Sequence, residues 1–140
     1  IGIESFVKTS GSSGLHVFVP VRKGYEFEEA MEWSKGVAKE VARRAPKIAT
    51  VERSISERRK NQVYVDYQQN ARGKTIASPY TVRPKPKATV SAPVSWKEVE
   101  SGFKLTDFTI QTMPERINKI GDLWAGMNKP KQRLPKLAWE

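Results

Sequence analysis

Hydrophobic and polar positions follow two periods along this chain of 140 residues. The first is the two-residue period of strands. In Leu15 to Val19 the apolar Leu15, Val17 and Val19 share one face, and His16 and Phe18 take the other. Ile3 to Lys8 predicts an earlier strand, and the small-residue run Thr9 to Gly14 predicts a hairpin-like loop between the two. Gln62 to Tyr67 also alternates, with Val63, Val65 and Tyr67 on one face and Tyr64, Asp66 and Gln68 on the other. Tyr80 to Arg83 predicts a further strand, with Arg83 on the face opposite Tyr80 and Val82. Its stiff exit, Pro84-Lys85-Pro86-Lys87, cannot sit in mid-sheet.

The second period is helical. Phe27, Met31, Ser34, Val37 or Ala38, and Val41 mark one stripe of a helix over Glu26 to Arg44, and this stripe predicts core packing. Acids crowd its first half and bases its end, as the helix dipole favours, and Pro46 stops it. Gly36 weakens it by about 1 kcal/mol of propensity. A shorter helix is expected over Val51 to Lys60. Ser95-Trp96-Lys97-Glu98 fits a capping box opening a helix to about Ser101. Thr112-Met113-Pro114-Glu115 fits another, with its helix ending near Gly121. Ile117, Ile120 and Trp124 are expected to pack, and Leu134, Leu137 and Trp139 are candidates to dock a basic tail. The sum is an α+β fold: an antiparallel or mixed sheet with helices packed on one face.

Composition narrows the partners. The formal charge is +10, which suits a polyanion, with nucleic acid ahead of an anionic membrane. Two stretches hold no acid, Ser5 to Tyr25 and the residues between Asp66 and Glu98, and both flank candidate loops. No apolar run approaches a membrane span and no membrane partner is expected. The absence of cysteine excludes disulfides and thiolate metal sites and suits a cytoplasmic protein.

Two positions stand out chemically. The loop Thr9 to Gly14 runs into the strand carrying the only histidine, His16. Its successive amides can form an anion nest to which the imidazole adds a donor; equally, it can be a plain hairpin loop with a structurally bonded His16. Asp66 is costly to bury in a hydrophobic run unless paired or metal-bound, or it lies on a solvent-facing side. Gly73-Lys74-Thr75 imitates a phosphate-binding loop, but Gln68 stands where that motif needs glycine and a strand, not a helix, is expected after it.

Three islands together resemble a known family: Thr9-Ser10-Gly11-Ser12-Ser13-Gly14-Leu15-His16-Val17, then Val65-Asp66-Tyr67-Gln68-Gln69-Asn70-Ala71-Arg72-Gly73-Lys74-Thr75, then Pro79-Tyr80-Thr81-Val82-Arg83. The pattern is similar to the polymerase domain of bacterial DNA ligase D and its stand-alone relatives in the archaeo-eukaryotic primase superfamily. It continues through Ala92 to Val99, Phe108-Thr109-Ile110 and Gly121-Asp122-Leu123-Trp124. The resemblance implies template-directed nucleotidyl transfer from NTP or dNTP, with a divalent metal (Mn²⁺ or Mg²⁺) and a preference for ribonucleotides, during gap filling in non-homologous end joining. It implies Asp66 as a metal carboxylate and catalytic residue. Ser10, Ser13, His16, Gln69 and Arg83 become the nucleotide-binding set, and Arg72, Lys74 and Lys85 the nucleic-acid contacts. It also implies that His16 and Asp66 converge across adjacent strands.

Two departures weaken the triphosphate site: Ser13 replaces a common lysine, and Lys85 replaces an arginine able to bind phosphate in bidentate fashion. The family's Asp-x-Asp metal motif does not occur in this sequence. Residues 1–127 are therefore expected to be the carboxy-terminal module of a primase-polymerase domain and 128–140 a basic tail. On this reading the missing amino-terminal half comes from the same or another chain, and the isolated chain does not polymerise. Implied partners are DNA with gaps or broken ends, Ku and a ligase domain, in a cytoplasmic, nucleoid-associated setting. The alternative is a non-catalytic nucleotide- or nucleic-acid-binding module.

Overall fold

The computed structural model describes residues 1–129 and 132–138. Its architecture is α+β, with five short strands and three helices among the described residues. The chain forms two compact units. One comprises Gly2–Arg22 with Ala77–Arg133; the other comprises Lys23–Ile76 with Ile1 and the segment from Leu134 onward.

The first unit is built on an antiparallel sheet ordered β2-β1-β5, from β1 (Phe6–Thr9), β2 (Leu15–Phe18) and β5 (Pro93–Val94). Pro93, which has no amide hydrogen to give a ladder, lies on the edge strand, where proline is tolerated. The residues from Thr89 to Val94 are all buried and bond in several directions. Tyr80 N donates to Ser91 O at 2.8 Å, Arg83 N to Thr89 O at 2.7 Å, Val90 N to Phe108 O at 2.9 Å and Thr9 N to Ala92 O at 2.9 Å. Val7, Val90, Ala92, Val94, Phe108 and Met113 form the core, with Tyr80, Val99 and Phe103 against it.

Helix α2 (Trp96–Ser101) has the predicted cap: Glu98 N donates to Ser95 Oγ and Ser95 N to Glu98 Oε2. Glu98 also takes Arg116 of α3 (Met113–Ile120) in a bidentate pair at 2.6 and 2.9 Å, which holds its carboxyl down at about 2. The predicted cap at Thr112 does not form; its hydroxyl donates to Asp107 O instead. Trp124 packs edge-on against Phe18 and Phe6, at 5.0 and 6.0 Å between ring centres, as expected of it. Ile117 and Ile120, by contrast, are exposed.

In strand β2 the face that carries His16 and Phe18 is the inner one. Leu15 and Val17 are 42% and 58% exposed, whereas His16 and Phe18 are half-buried. The cause is the register with β1: Phe6 lies opposite Phe18 and Lys8 opposite His16, so the aromatic contacts with Trp124 draw that face inward. Tyr80–Arg83 is not a strand but a turn, with Tyr80 at positive φ and a single bridge from Val82 to Val90.

In the second unit, α1 (Phe27–Arg44) packs beside β3 (Ala49–Thr50), which pairs in parallel with β4 (Val63–Tyr64). Ala38 of the predicted stripe is buried, but Phe27 and Val41 are exposed. Buried Glu40 accepts from Arg43 and Arg44 at 2.6–2.7 Å, and these bonds hold its carboxyl at about 2. The helix expected over Val51 to Lys60 is absent. There Arg58 donates to Glu52 O at 2.7 Å and stacks 4.2 Å over Tyr64, and Ser54 N donates to Glu52 Oε1. These side-chain bonds satisfy the backbone outside a helix. Of the candidate docking residues, Leu137 is buried, Leu134 N donates to Tyr25 Oη and Trp139 lies outside the described residues.

Truncating Phe108 to Ala leaves a cavity in the first unit and is expected to lower unfolding free energy by about 3–5 kcal/mol. Urea denaturation checks this; a loss under about 1 kcal/mol would contradict the packing described.

Candidate functional site

Pairing of β1 with β2 places Lys8 directly opposite His16. Lys8 is fully buried, with Nζ 3.0 Å from His16 Nδ1 and donating to Ser91 Oγ at 2.7 Å. Ser91 Oγ in turn donates to Thr9 O at 2.7 Å, and the Lys8 ammonium lies 5.6 Å from the centre of the Phe18 ring. Burial, and secondarily the Arg83 charge, pull the Lys8 ammonium down from 10.5 to about 8. Burial, then Lys8, then Arg83 push the His16 imidazole below its ordinary value. Like charges on directly paired residues repel, so this register favours a neutral imidazole accepting from the lysine.

The loop after β1 folds around one hydroxyl. Ser10 Oγ accepts from the amides of Ser12, Ser13 and Gly14 at 3.0–3.1 Å, and Ser10 N closes the loop onto Gly14 O at 2.8 Å. The convergent amides expected of a nest are present, but the group they surround is the Ser10 side chain. Its own hydrogen has no acceptor among the described residues, leaving a donor for a ligand. Gly11 adopts φ +68, and a Cβ there would lie 2.5 Å from Arg83 Cγ. That close approach lets Arg83 Nη1 donate to Ser10 O at 2.9 Å.

Ser10 of the loop, His16 of β2 and Arg83 from the turn after Tyr80 are thus brought near one another, with buried Lys8 bonded to His16. Ser13 sits exposed at the loop tip and contributes its amide, and Lys85 is exposed in the turn after Arg83. Among the described residues no ion pair involves Lys8, His16 or Arg83. A group of bases without a counter-charge is suited to an anion.

The second unit presents the remaining candidates. Asp66 is exposed just beyond β4; its Oδ1 accepts from Gln68 N at 2.9 Å, and Gln69 Nε2 reaches Oδ2 at 3.5 Å. Arg72 lies 5.5 Å over the Phe27 ring, and Lys74 is exposed. The adjacency expected between the strands of His16 and Asp66 is not found. Among the described residues β2 pairs only with β1, and β4, before Asp66, pairs with β3 in a separate sheet. Among the described residues no group of three or more His, Cys, Asp or Glu can cage a metal. A lone, accessible carboxylate fits a cation whose remaining ligands are water and phosphate oxygens, as is common for Mg²⁺.

Sequence reasoning passed over Lys8 and Ser91. The signal available for Lys8 was a lysine at the end of a predicted strand, immediately before the small-residue loop.

The profile of the LigD primase-polymerase domain matches residues 1–124. The bifunctional non-homologous end joining protein LigD of Bacillus subtilis is 37% identical over 121 residues, covering 86% of this chain and 20% of that protein. The multifunctional non-homologous end joining protein LigD of Pseudomonas aeruginosa is 28% identical over 136 residues, covering 96% of this chain and 16% of that protein. A solved structure of the polymerase domain from Mycobacterium tuberculosis ligase D in complex with DNA matches with a TM-score of 0.84 at 30% identity. That match covers 91% of this chain and 44% of the solved one.

The buried lysine makes a stability prediction. Its folded value of about 8 lies below the ordinary 10.5, so the unfolded chain binds more protons between those pH values. The cost of burying the cation is fully present below pH 8 and fades as pH rises through the window. At about 1.4 kcal/mol per pH unit the change is about 3 kcal/mol. The unfolding free energy of wild type is expected to rise by that amount relative to Lys8→Met between pH 7.5 and 10.5; a constant difference would count against a buried cation.

Proposed function

This chain belongs to the LigD primase-polymerase domain family, and on that premise we propose that it supplies the triphosphate-binding loop and one metal carboxylate of a template-directed nucleotidyltransferase in DNA end joining. The observation that carries this reading is the uncompensated basic cluster of Lys8, His16 and Arg83 around the Ser10 loop.

In such a transfer a primer 3′-hydroxyl attacks the α-phosphorus of the incoming nucleotide, a new phosphodiester forms and pyrophosphate leaves. The Ser10 hydroxyl, the His16 imidazole and the Arg83 guanidinium donate to triphosphate oxygens, with the loop tip at Ser13 beside them. Because Arg83 is anchored to Ser10 O through one nitrogen, its other donors are pre-oriented for the phosphates. Charge that develops on the departing pyrophosphate is met by donors already in place, with little reorganisation. Asp66 holds a divalent cation, Mn²⁺ or Mg²⁺, and Gln69 beside it contacts the nucleotide. When bound, such a cation neutralises phosphate charge and lowers the pKa of the attacking hydroxyl.

Arg72, Lys74 and Lys85, exposed in a chain of net charge +10, contact the DNA backbone at gaps or broken ends. The solved relative bound to DNA supports this assignment. Ribonucleotides are the favoured substrates under this proposal.

Titration of a nucleoside triphosphate with Mn²⁺ tests it. His16→Ala and Arg83→Ala each remove a charge-assisted donor worth about 1.5–3 kcal/mol, so affinity is expected to fall about 10- to 100-fold. DNA affinity is expected to change less than twofold in these variants and to drop in Arg72→Ala/Lys74→Ala. Unchanged triphosphate affinity in both single variants would overturn the assignment. Asp66→Asn is expected to abolish the Mn²⁺-dependent part of binding. Primer extension with Mn²⁺ in the intact domain separates an enzyme, which loses incorporation on Asp66→Asn, from a binding module, which shows none at all.

A further inference from the structure

We propose that Lys8 is a positioning residue that holds His16 in the tautomer carrying its hydrogen on Nε2, so that the ring presents a fixed donor to the ligand. The inference deepens the triphosphate reading above and rests on it for the identity of that ligand.

An ammonium group has three donors and no acceptor. With Lys8 Nζ 3.0 Å from His16 Nδ1, that ring nitrogen must accept, and a neutral imidazole then carries its hydrogen on Nε2. Lys8 is itself fixed: Ser91 Oγ takes a second donor at 2.7 Å, and Ser91 is locked by its own bond to Thr9 O. No polar partner bonds Nε2 among the described residues, and the residue is only half-buried. Lys8 has no solvent exposure, so it reaches a bound anion through the imidazole rather than by contact. The bonded chain Thr9 O, Ser91 Oγ, Lys8 Nζ, His16 Nδ1 thus ties the histidine's donor direction to the buried backbone of the unit. It also explains a lysine here rather than an apolar residue, since any apolar side chain would leave Nδ1 free to carry the hydrogen.

Long-range proton–nitrogen NMR on the ¹⁵N-histidine-labelled protein reads the tautomer directly, and the signal is unambiguous because His16 is the only histidine. At pH 7 a single Nε2–H form is expected; an Nδ1–H form or an averaged mixture would overturn the proposal without using any variant. In Lys8→Met the tautomers are expected to mix and triphosphate affinity to fall about fivefold or more, with Lys8→Arg, also a pure donor, restoring both. In the His16→Ala background Lys8→Met is expected to cost no further affinity; an equal loss there would show that the lysine acts independently of the ring. If His16→Ala leaves triphosphate affinity intact while the tautomer is as expected, the triphosphate reading fails and the lock itself stands.

Discussion

A lysine ammonium buried without a carboxylate is the constraint around which the first unit is arranged. Lys8 lies on the central strand of its sheet, between the strand that carries His16 and the buried segment that carries Ser91. Two neutral acceptors take two of its three donors, but neither cancels its charge, and burial, then the Arg83 charge, holds it down at about 8. A positive group kept dry and unpaired at the base of a loop is what an anion site requires. In a purely structural role the same strand position would be filled more stably by an apolar side chain.

The buried and half-buried carboxylates are treated differently. Glu98 is met by both arms of Arg116 and by the Ser95 amide, and Glu40 by two arginines on its own helix. Each carboxylate is fully bonded, so each helps to fix a helix and leaves nothing over for a ligand. Lys8, His16 and Arg83, by contrast, have no carboxylate partner among the described residues, and the backbone there is shaped to match. Gly11 at positive φ lets Arg83 pass close beneath the loop, and Thr89 Oγ1 ties the same glycine's carbonyl at 2.6 Å.

Much of this was legible from the sequence because it depends on short-range chemistry. The Ser95 cap, the long helix beginning at Phe27 and the loop between Thr9 and Gly14 are each encoded within a few residues, and each is found. Errors arose where distant partners override local pattern. Val51 to Lys60 has helical spacing, but Arg58 binds the backbone of Glu52 and the ring of Tyr64. Alternation fixes which residues of β2 share a face but not which face turns inward; the aromatic pair and Trp124 decide that for His16 and Phe18.

The sequence by itself determined the residue types of the site: a small-residue loop, one histidine, an arginine at position 83, and an aspartate ahead of Gln69. It determined the strand period that puts His16 and Phe18 on one face, since alternation is a property of the backbone. Only the tertiary structure decided that Lys8 stands opposite His16 and that Ser91, 83 residues away along the chain, completes its bonding. Strand register and the closure of a long loop depend on the whole core, so no local pattern could have revealed that the quietest residue of β1 governs the imidazole beside it.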